Sequence, residues 1–363
     1  MSEGAELVVY TGLEAEVRAR LDSQTKPPGS LGWMEEVVVQ MALVRGKAEV
    51  DLDPVGVFLF AGDHGVCARG VSAYPQTVTR QMVFNFAGGG AAAAVLAREF
   101  GLGLTVVDCG VLGGPFTDIR VREGFDFIDA RIGDGTRDFV EGAAMSEQEF
   151  DRAWSAGRRI AEEAIARGAR TLIAGEMGIG NTTAASALCC GLGFGSSVEM
   201  VGRGTGVRDE GLVKKVEVVD LALRRHAPGP LGDEDRMRYW LQRVAGFEMV
   251  SMAGFYAAGL EARCVVVVDG FIATAVAASV HVGYPKFRRG FIHAHRSSEK
   301  GHGLLMERLG VRPVLDLGMR LGEGTGALMA IPVLRAAVSL YRKMATFEQA
   351  GVDQERVDVG VAT

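Results

Sequence analysis

Aromatic residues make up only 7% of this 363-residue chain, and prolines number 10. Positive charge is not in excess either: the formal net charge is −6, so no global field recruits nucleic acid or an anionic membrane. The five cysteines (Cys67, Cys109, Cys189, Cys190 and Cys264) form no C-x-x-C pair and no zinc-ligand spacing. Scattered among apolar residues, they read as the reduced thiols of a cytosolic protein rather than a disulfide framework. No long hydrophobic run is present. The most apolar window, 264–283, is broken by Asp269 and Gly270, which suits a strand followed by a buried helix better than a membrane span. The opening Met1-Ser2-Glu3-Gly4-Ala5-Glu6 has neither the basic segment nor the apolar stretch of a secretion signal, so the expected location is the cytoplasm.

Several nucleotide and metal motifs are missing too. There is no GxxxxGK[ST], which argues against a P-loop, and no GxGxxG after the first strand, which weakens a dinucleotide-dependent dehydrogenase. The adjacent acidic pair that ordinary phosphoribosyltransferases use for magnesium-pyrophosphate does not follow a strand. The six histidines include no HExxH, and His293 with His295 reads as a solvated strand rim rather than a ligand pair. No metal and no cofactor is expected.

What is present is apolar material, 48% of residues, and 50 glycines, roughly twice the usual share near 7%. The glycines show no G-X-Y period, so collagen is excluded. Short runs rich in β-branched residues recur at 55–60, 104–107, 170–174, 264–268, 290–293 and 312–315, each ending in polar or glycine residues. Between them lie helical patterns. The clearest is 147–167, with Ser146 and Glu149 as a capping box and Gly168 as a stop. Continuous apolar strands alternating with helices predict an α/β fold: an open, doubly wound, mainly parallel sheet with helices on both faces. The helical period of residues 1–50, broken at 25–32, and of 332–348 predicts a small helical domain built from both ends of the chain. The expected division is 1–50 with 330–363, and a large α/β domain over 51–329.

Glycines concentrate in loops at 88–90, 175–183, 202–206 and 322–326. Glycine lets backbone N–H groups approach a phosphate, and a following helix N-terminus adds a favourable dipole. For 175–183, between a strand and a helix, an anion cradle is expected; for Gly88–Gly90, tight helix–sheet packing. Two carboxylates are embedded in such loops. Glu323 stands between glycines at the mouth of a helix, and Glu176 follows a strand. Burial there raises a carboxylate's pKa toward the range useful for proton abstraction, which makes Glu323 a candidate general base. Complementing a helix dipole is the plainer role for both.

Several segments, in order along the chain, carry a resemblance: residues 25–32 (Thr-Lys-Pro-Pro-Gly-Ser-Leu-Gly), Asp63-His64-Gly65-Val66, Gly70-Val71-Ser72, Pro75-Gln76, Gly175 to Thr183, Asp269-Gly270-Phe271, Ser298-Glu299-Lys300-Gly301, and Met319 to Ala327. From about residue 20 to about 345 the chain resembles the nicotinate-nucleotide:dimethylbenzimidazole phosphoribosyltransferases of cobalamin biosynthesis. The resemblance implies that nicotinate mononucleotide and a benzimidazole give α-ribazole 5′-phosphate and nicotinate. It also implies a homodimer with sites near the subunit boundary; with the charge reading above, the expected partners are small molecules, not nucleic acid or membrane.

By the same resemblance Glu323 is the residue that takes the ring N–H proton of the incoming base. Glu176 is expected to contact ribose or base, and Gly178, Gly180 and Asn181 to receive the phosphate. Gly204 and Lys215 match further phosphate-side positions, while Asp269 and Ser297 match ribose or nicotinate neighbours. Lys215, beside Lys214, reads equally as a solvated helix lysine. Met177 and Leu321 are candidate walls for a flat aromatic base, or ordinary core. One segment departs from the family. Known users of dimethylbenzimidazole carry a small hydroxyl residue where Tyr74 stands and an amide where Met82 stands. The reaction class is untouched, but the acceptor is left open among dimethyl-, methoxy- and hydroxybenzimidazoles, purines and phenols. The two competing readings are an NAD(P)-dependent oxidoreductase and a nucleotide-binding protein without turnover.

Overall fold

The computed structural model describes residues 3–204, 206–287 and 289–353, with side chains described from residue 11 onward. The described chain forms two compact units, one comprising 3–51 and 333–353, the other within Leu52–Pro332.

The larger unit is built on one sheet. Its strands are β1 (Val55–Gly62), β2 (Thr105–Gly110), β3 (Asp126–Asp129), β4 (Thr171–Met177), β5 (Val265–Val268) and β6 (Phe291–His293). All neighbours are parallel, in the order β3-β2-β1-β4-β5-β6. Side chains alternate between the faces of a strand, and here both sets are buried. Phe58 and Phe60 pack on Phe255 of the helix Phe247–Glu261, with ring centroids 5.1 and 5.3 Å away. Leu59, Val106, Ile173 and Val267, of the opposite parity, are also inaccessible. A parallel sheet with both faces covered needs such continuous apolar strands. The helix Glu147–Ala166 begins in the expected capping box, Ser146 with Glu149. It crosses Phe247–Glu261 so closely that a Cβ on Gly157 would lie 1.7 Å from the Ser251 carbonyl oxygen.

Three expectations need correction. Residues 312–315 form no strand: Leu315 makes a single bridge to His295. The sixth strand is instead the short edge β3, whose acid-flanked Asp-Phe-Ile-Asp is half exposed and lacks a continuous apolar run. In place of a helix at 332–348, one helix spans Thr325–Lys343, with Pro332 inside it, and a short one follows at Phe347–Ala350. Proline is favoured at a helix start, which makes Pro332 a misleading boundary.

In the smaller unit the helices Glu3–Ser23 and Trp33–Arg45 flank the Pro-rich turn. Lys26 of that turn makes a buried 2.9 Å ion pair with Glu35. Gln24 bridges to Thr346, and the Gln24 side-chain amide donates to the Leu340 and Tyr341 carbonyls. Tyr341 Oη donates to the Ala48 carbonyl at 3.0 Å.

Candidate active site

In this strand order the chain departs from β1 toward one edge and from β4 toward the other. Open α/β sheets bind ligands in the crevice beyond the carboxyl ends at such a switch point. The polar residues after β1 brace it. Asp63 accepts from Thr79 Oγ1 at 2.8 Å and from the Leu112 N–H at 2.9 Å. Thr79 Oγ1 in turn accepts the Ile179 N–H at 3.1 Å, tying the loop after β4 to the helix Thr77–Gly88. Beneath that loop lies a buried pair, His64 Nε2 to Glu248 Oε1 at 2.7 Å. Burial pulls the imidazole pKa down, but the Glu248 carboxylate outweighs it and leaves His64 raised.

The loop after β4 leads into the helix Asn181–Gly191 through Gly180, whose φ is 100°. Gly178, Gly180, Asn181 and Thr182 share a small cavity with Ser72, Arg203 and Lys215. Lys215 is 1% exposed, not a solvated helix lysine. Its ammonium donates to Thr182 Oγ1 at 3.0 Å and to the Gly202 carbonyl at 3.1 Å. Burial lowers its pKa to about 8, against an opposing pull from Glu299. Gly204 joins the same corner: a Cβ there would stand 3.2 Å from the Lys215 Nζ. Backbone N–H groups at a helix start and a buried ammonium make a site for an anion.

Glu323 lies in the loop before Thr325–Lys343. Gly322, Glu323 and Gly324 are consecutive left-handed residues, with φ of 84°, 63° and 80°. A non-glycine residue held there costs about 1–3 kcal/mol, a strain typical of functional sites. One carboxylate oxygen accepts the Ala93 N–H at the start of the helix Ala92–Glu99. The other, Oε2, is buried without a hydrogen-bond partner. Burial raises the Glu323 pKa to about 7, with the Ala93 bond opposing and Asp269 adding to the rise. The triple glycine 88–90 sits just ahead of that N–H. It forms the left-handed end of Thr77–Gly88, with a Cβ on Gly90 meeting Asn85 Oδ1 at 2.4 Å, rather than the helix–sheet contact expected.

Glu176 is the penultimate residue of β4, not a loop residue. Its carboxylate accepts from the Glu323 N–H and from Asn181 Nδ2. Burial first, then the charges of Asp269, Glu248 and Glu323, push its pKa well above the ordinary carboxylate range. The crevice therefore brings Glu176, Asn181, Asp269 and Glu323 together. Asp269, just beyond β5, has both oxygens on backbone N–H groups of the Glu323 loop and helix, Gly324 and Ala327. Ser297 packs beside Gly270, and its N–H donates to His302 Nδ1 at 2.8 Å. Met177 is half-buried, and Leu321, at 57% exposure, is no core residue. Tyr74 is 53% exposed, and Met82 half-buried on the helix Thr77–Gly88.

His293 and His295 are not a solvated rim. Both are buried, and burial pulls His293 down to about 4. Among the described residues no group of three or more His, Cys, Asp or Glu is arranged to hold a metal ion. Among them, too, no helix is long and apolar enough to cross a membrane. Residue-by-residue reasoning passed over Thr79, Ala93 and Glu248 altogether. Ala93 acts through its backbone and leaves no side-chain signal. Glu248 does leave one, as the one charged residue from Phe247 to Phe255 in a helix that is buried along that stretch.

A parallel sheet carrying an anion cradle and a strained, half-partnered carboxylate at its switch point defines an α/β enzyme acting on a phosphorylated substrate. A family model described as "Phosphoribosyltransferase" matches residues 9–352. A Pseudomonas fluorescens nicotinate-nucleotide–dimethylbenzimidazole phosphoribosyltransferase is 44% identical over 334 residues, 92% of each chain. The enzyme of that name from Thermus thermophilus is 44% identical over 94% of this chain and 98% of its own. A crystal structure of CobT from Thermus thermophilus covers 95% of this chain and 100% of its own, with a TM-score of 0.88 at 44% identity. The chain belongs to this phosphoribosyltransferase family.

Proposed function

We propose that the protein transfers the phosphoribosyl group of nicotinate mononucleotide to a benzimidazole-type base, giving α-ribazole 5′-phosphate and nicotinate. The first candidate acceptor is 5,6-dimethylbenzimidazole, the base in the names of its relatives. One observation carries the reading: Glu323 presents a buried, unpartnered oxygen near neutral pKa in the crevice that also holds the anion cradle. The oxidoreductase and non-catalytic readings give way to it.

The donor's pyridinium is already a cationic leaving group, so nicotinate departs with its bonding electrons and needs no added proton. Positive charge develops at C1′ as in glycoside cleavage. One ring nitrogen of the acceptor attacks from the opposite face, inverting the anomeric centre. Glu323 Oε2 takes the proton from the other nitrogen. Glu176 and Asn181 contact ribose or base, while Gly178, Gly180, Gly204 and Lys215 hold the phosphate, with Ser297 nearby. Met177, Leu321, Tyr74 and Met82 face the acceptor and set its identity. Holding both substrates in register supplies much of the acceleration. The reading extends to a cytoplasmic homodimer acting on small molecules and not on nucleic acid. It also extends to a division into a helical domain of 1–50 with 330–363 and an α/β domain of 51–329.

Incubating the protein with nicotinate mononucleotide and 5,6-dimethylbenzimidazole tests the activity by chromatography. Equimolar nicotinate and α-ribazole 5′-phosphate support it, and no base-dependent nicotinate release counts against it. Competition among dimethyl-, methoxy- and hydroxybenzimidazoles, adenine and phenol then ranks the acceptors.

A further inference from the structure

Asp269 is 1% exposed just beyond β5, and its bonds hold the backbone that directly follows the residue proposed as base. Oδ2 accepts the Gly324 N–H at 3.1 Å, and Oδ1 accepts the Ala327 N–H at 3.0 Å. Those two N–H groups flank the start of Thr325–Lys343, where a helix has donors without intrahelical partners. From the β4 side, Gly175 admits the same loop: its missing Cβ leaves room for the Glu323 carbonyl group and the Gly324 nitrogen. The left-handed turn at 322–324 is thus held by a carboxylate just beyond β5 and by a bare backbone on β4.

We propose that Asp269 is a positioning residue for Glu323, its carboxylate fixing the 324–327 backbone so that the unpartnered Oε2 points at the acceptor. The inference rests on the function proposed above and gives Asp269 a part distinct from the ribose or nicotinate contact expected from resemblance. Each Asp269 oxygen already accepts one backbone N–H of the loop and helix, so the carboxylate holds the 324–327 backbone whatever else it meets. The ionisable groups around it are Glu323 in the loop, Glu176 on β4, Tyr256 on Phe247–Glu261, and His295, whose Nε2 is 3.9 Å from Oδ1. Glu248 lies further off, beside Glu176.

The test compares Asp269→Asn and Asp269→Glu with the wild type in the nicotinate-release assay. Asn removes the charge and turns an N–H donor toward a backbone N–H; Glu keeps the charge but lengthens the arm. Both are expected to lower kcat by about 10²-fold, the effect of misplacing a reacting group by about 1 Å. The KM for nicotinate mononucleotide should stay within about twofold, since positioning acts on the reaction and not on ground-state binding. Only Asn should move the acidic limb of kcat to lower pH, because Asp269 charge raises the Glu323 pKa. Added to Glu323→Gln, Asp269→Asn should cost nothing further. Unchanged kcat, a loss confined to KM, or an additive double variant would overturn the proposal. Should the Asn variant not fold, the Glu variant carries the kcat and KM comparison. Amide hydrogen exchange separates the two ideas without turnover. Faster exchange at Gly324 and Ala327 in Asp269→Asn supports the clamp even if no nicotinate is released, and unchanged exchange contradicts it.

Discussion

A Cβ on Gly175 would stand 2.5 Å from the carbonyl oxygen of Glu323. No real Cβ sits so close to a backbone oxygen, so β4 must carry glycine here for the 322–324 loop to approach it. The relation ties a sheet residue with no functional group to the carboxylate that carries the chemistry.

Gly175→Ala should therefore push the loop away from β4 while leaving the sheet intact. The expected result is a fall in kcat of about 10²-fold, with far-UV circular dichroism unchanged, since small misplacements of reacting groups cost that much. Wild-type turnover in the alanine variant would show that the contact does not position Glu323.

Lys215 offers a second test, on binding. Its charge lies at the anion cradle, and its pKa is about 8 because burial disfavours the ammonium. The ammonium is therefore present at neutral pH and lost above about 8. The KM for nicotinate mononucleotide should rise through that range, with little change in kcat. Lys215→Met should show the raised KM at every pH. A KM that stays flat from pH 7 to 9 in the wild type would remove Lys215 from the phosphate site.

The His64–Glu248 pair is a stability device beneath the cradle. Taking one partner from a buried ion pair costs about 3–5 kcal/mol, because the other charge is left uncompensated. Glu248→Ala should lose that much in denaturant unfolding at pH 6. The folded His64 pKa lies above the unfolded value near 6.5. The pair's contribution is therefore complete below about pH 6.5 and fades as pH rises through the raised folded value. A loss below about 1 kcal/mol at pH 6 would put the pair in the range of surface ion pairs.

The sheet was legible because its strands advertise themselves. Val265–Val268 is four valines, and Val55–Phe60 is apolar throughout, as two covered faces demand. Edge strand β3 was not, since acids at both ends leave nothing that distinguishes it from a loop. The capping box at Ser146 was readable to the residue, but the start of the helix Thr325–Lys343 was not. That start depends on Asp269, far away in sequence. Within the site, Glu323 and Glu176 stood out as acids among glycines. The partners that tune them did not: the Ala93 N–H and the space above Gly175 belong to the backbone, which sequence patterns do not display. Lys215 shows the same limit, for its burial comes from contacts with Thr182 and Gly202 rather than from its neighbours in sequence.

The central claim is that Glu323 is the general base, and its pH–rate profile in wild type and Glu323→Gln tests it most directly. A base must be ionised to act, so wild-type kcat should fall as pH drops through about 7. Glu323→Gln should release nicotinate at least about 10²-fold more slowly at pH 8 and lose that acidic limb. Turnover in Glu323→Gln equal to wild type, with the limb still in place, would contradict the account.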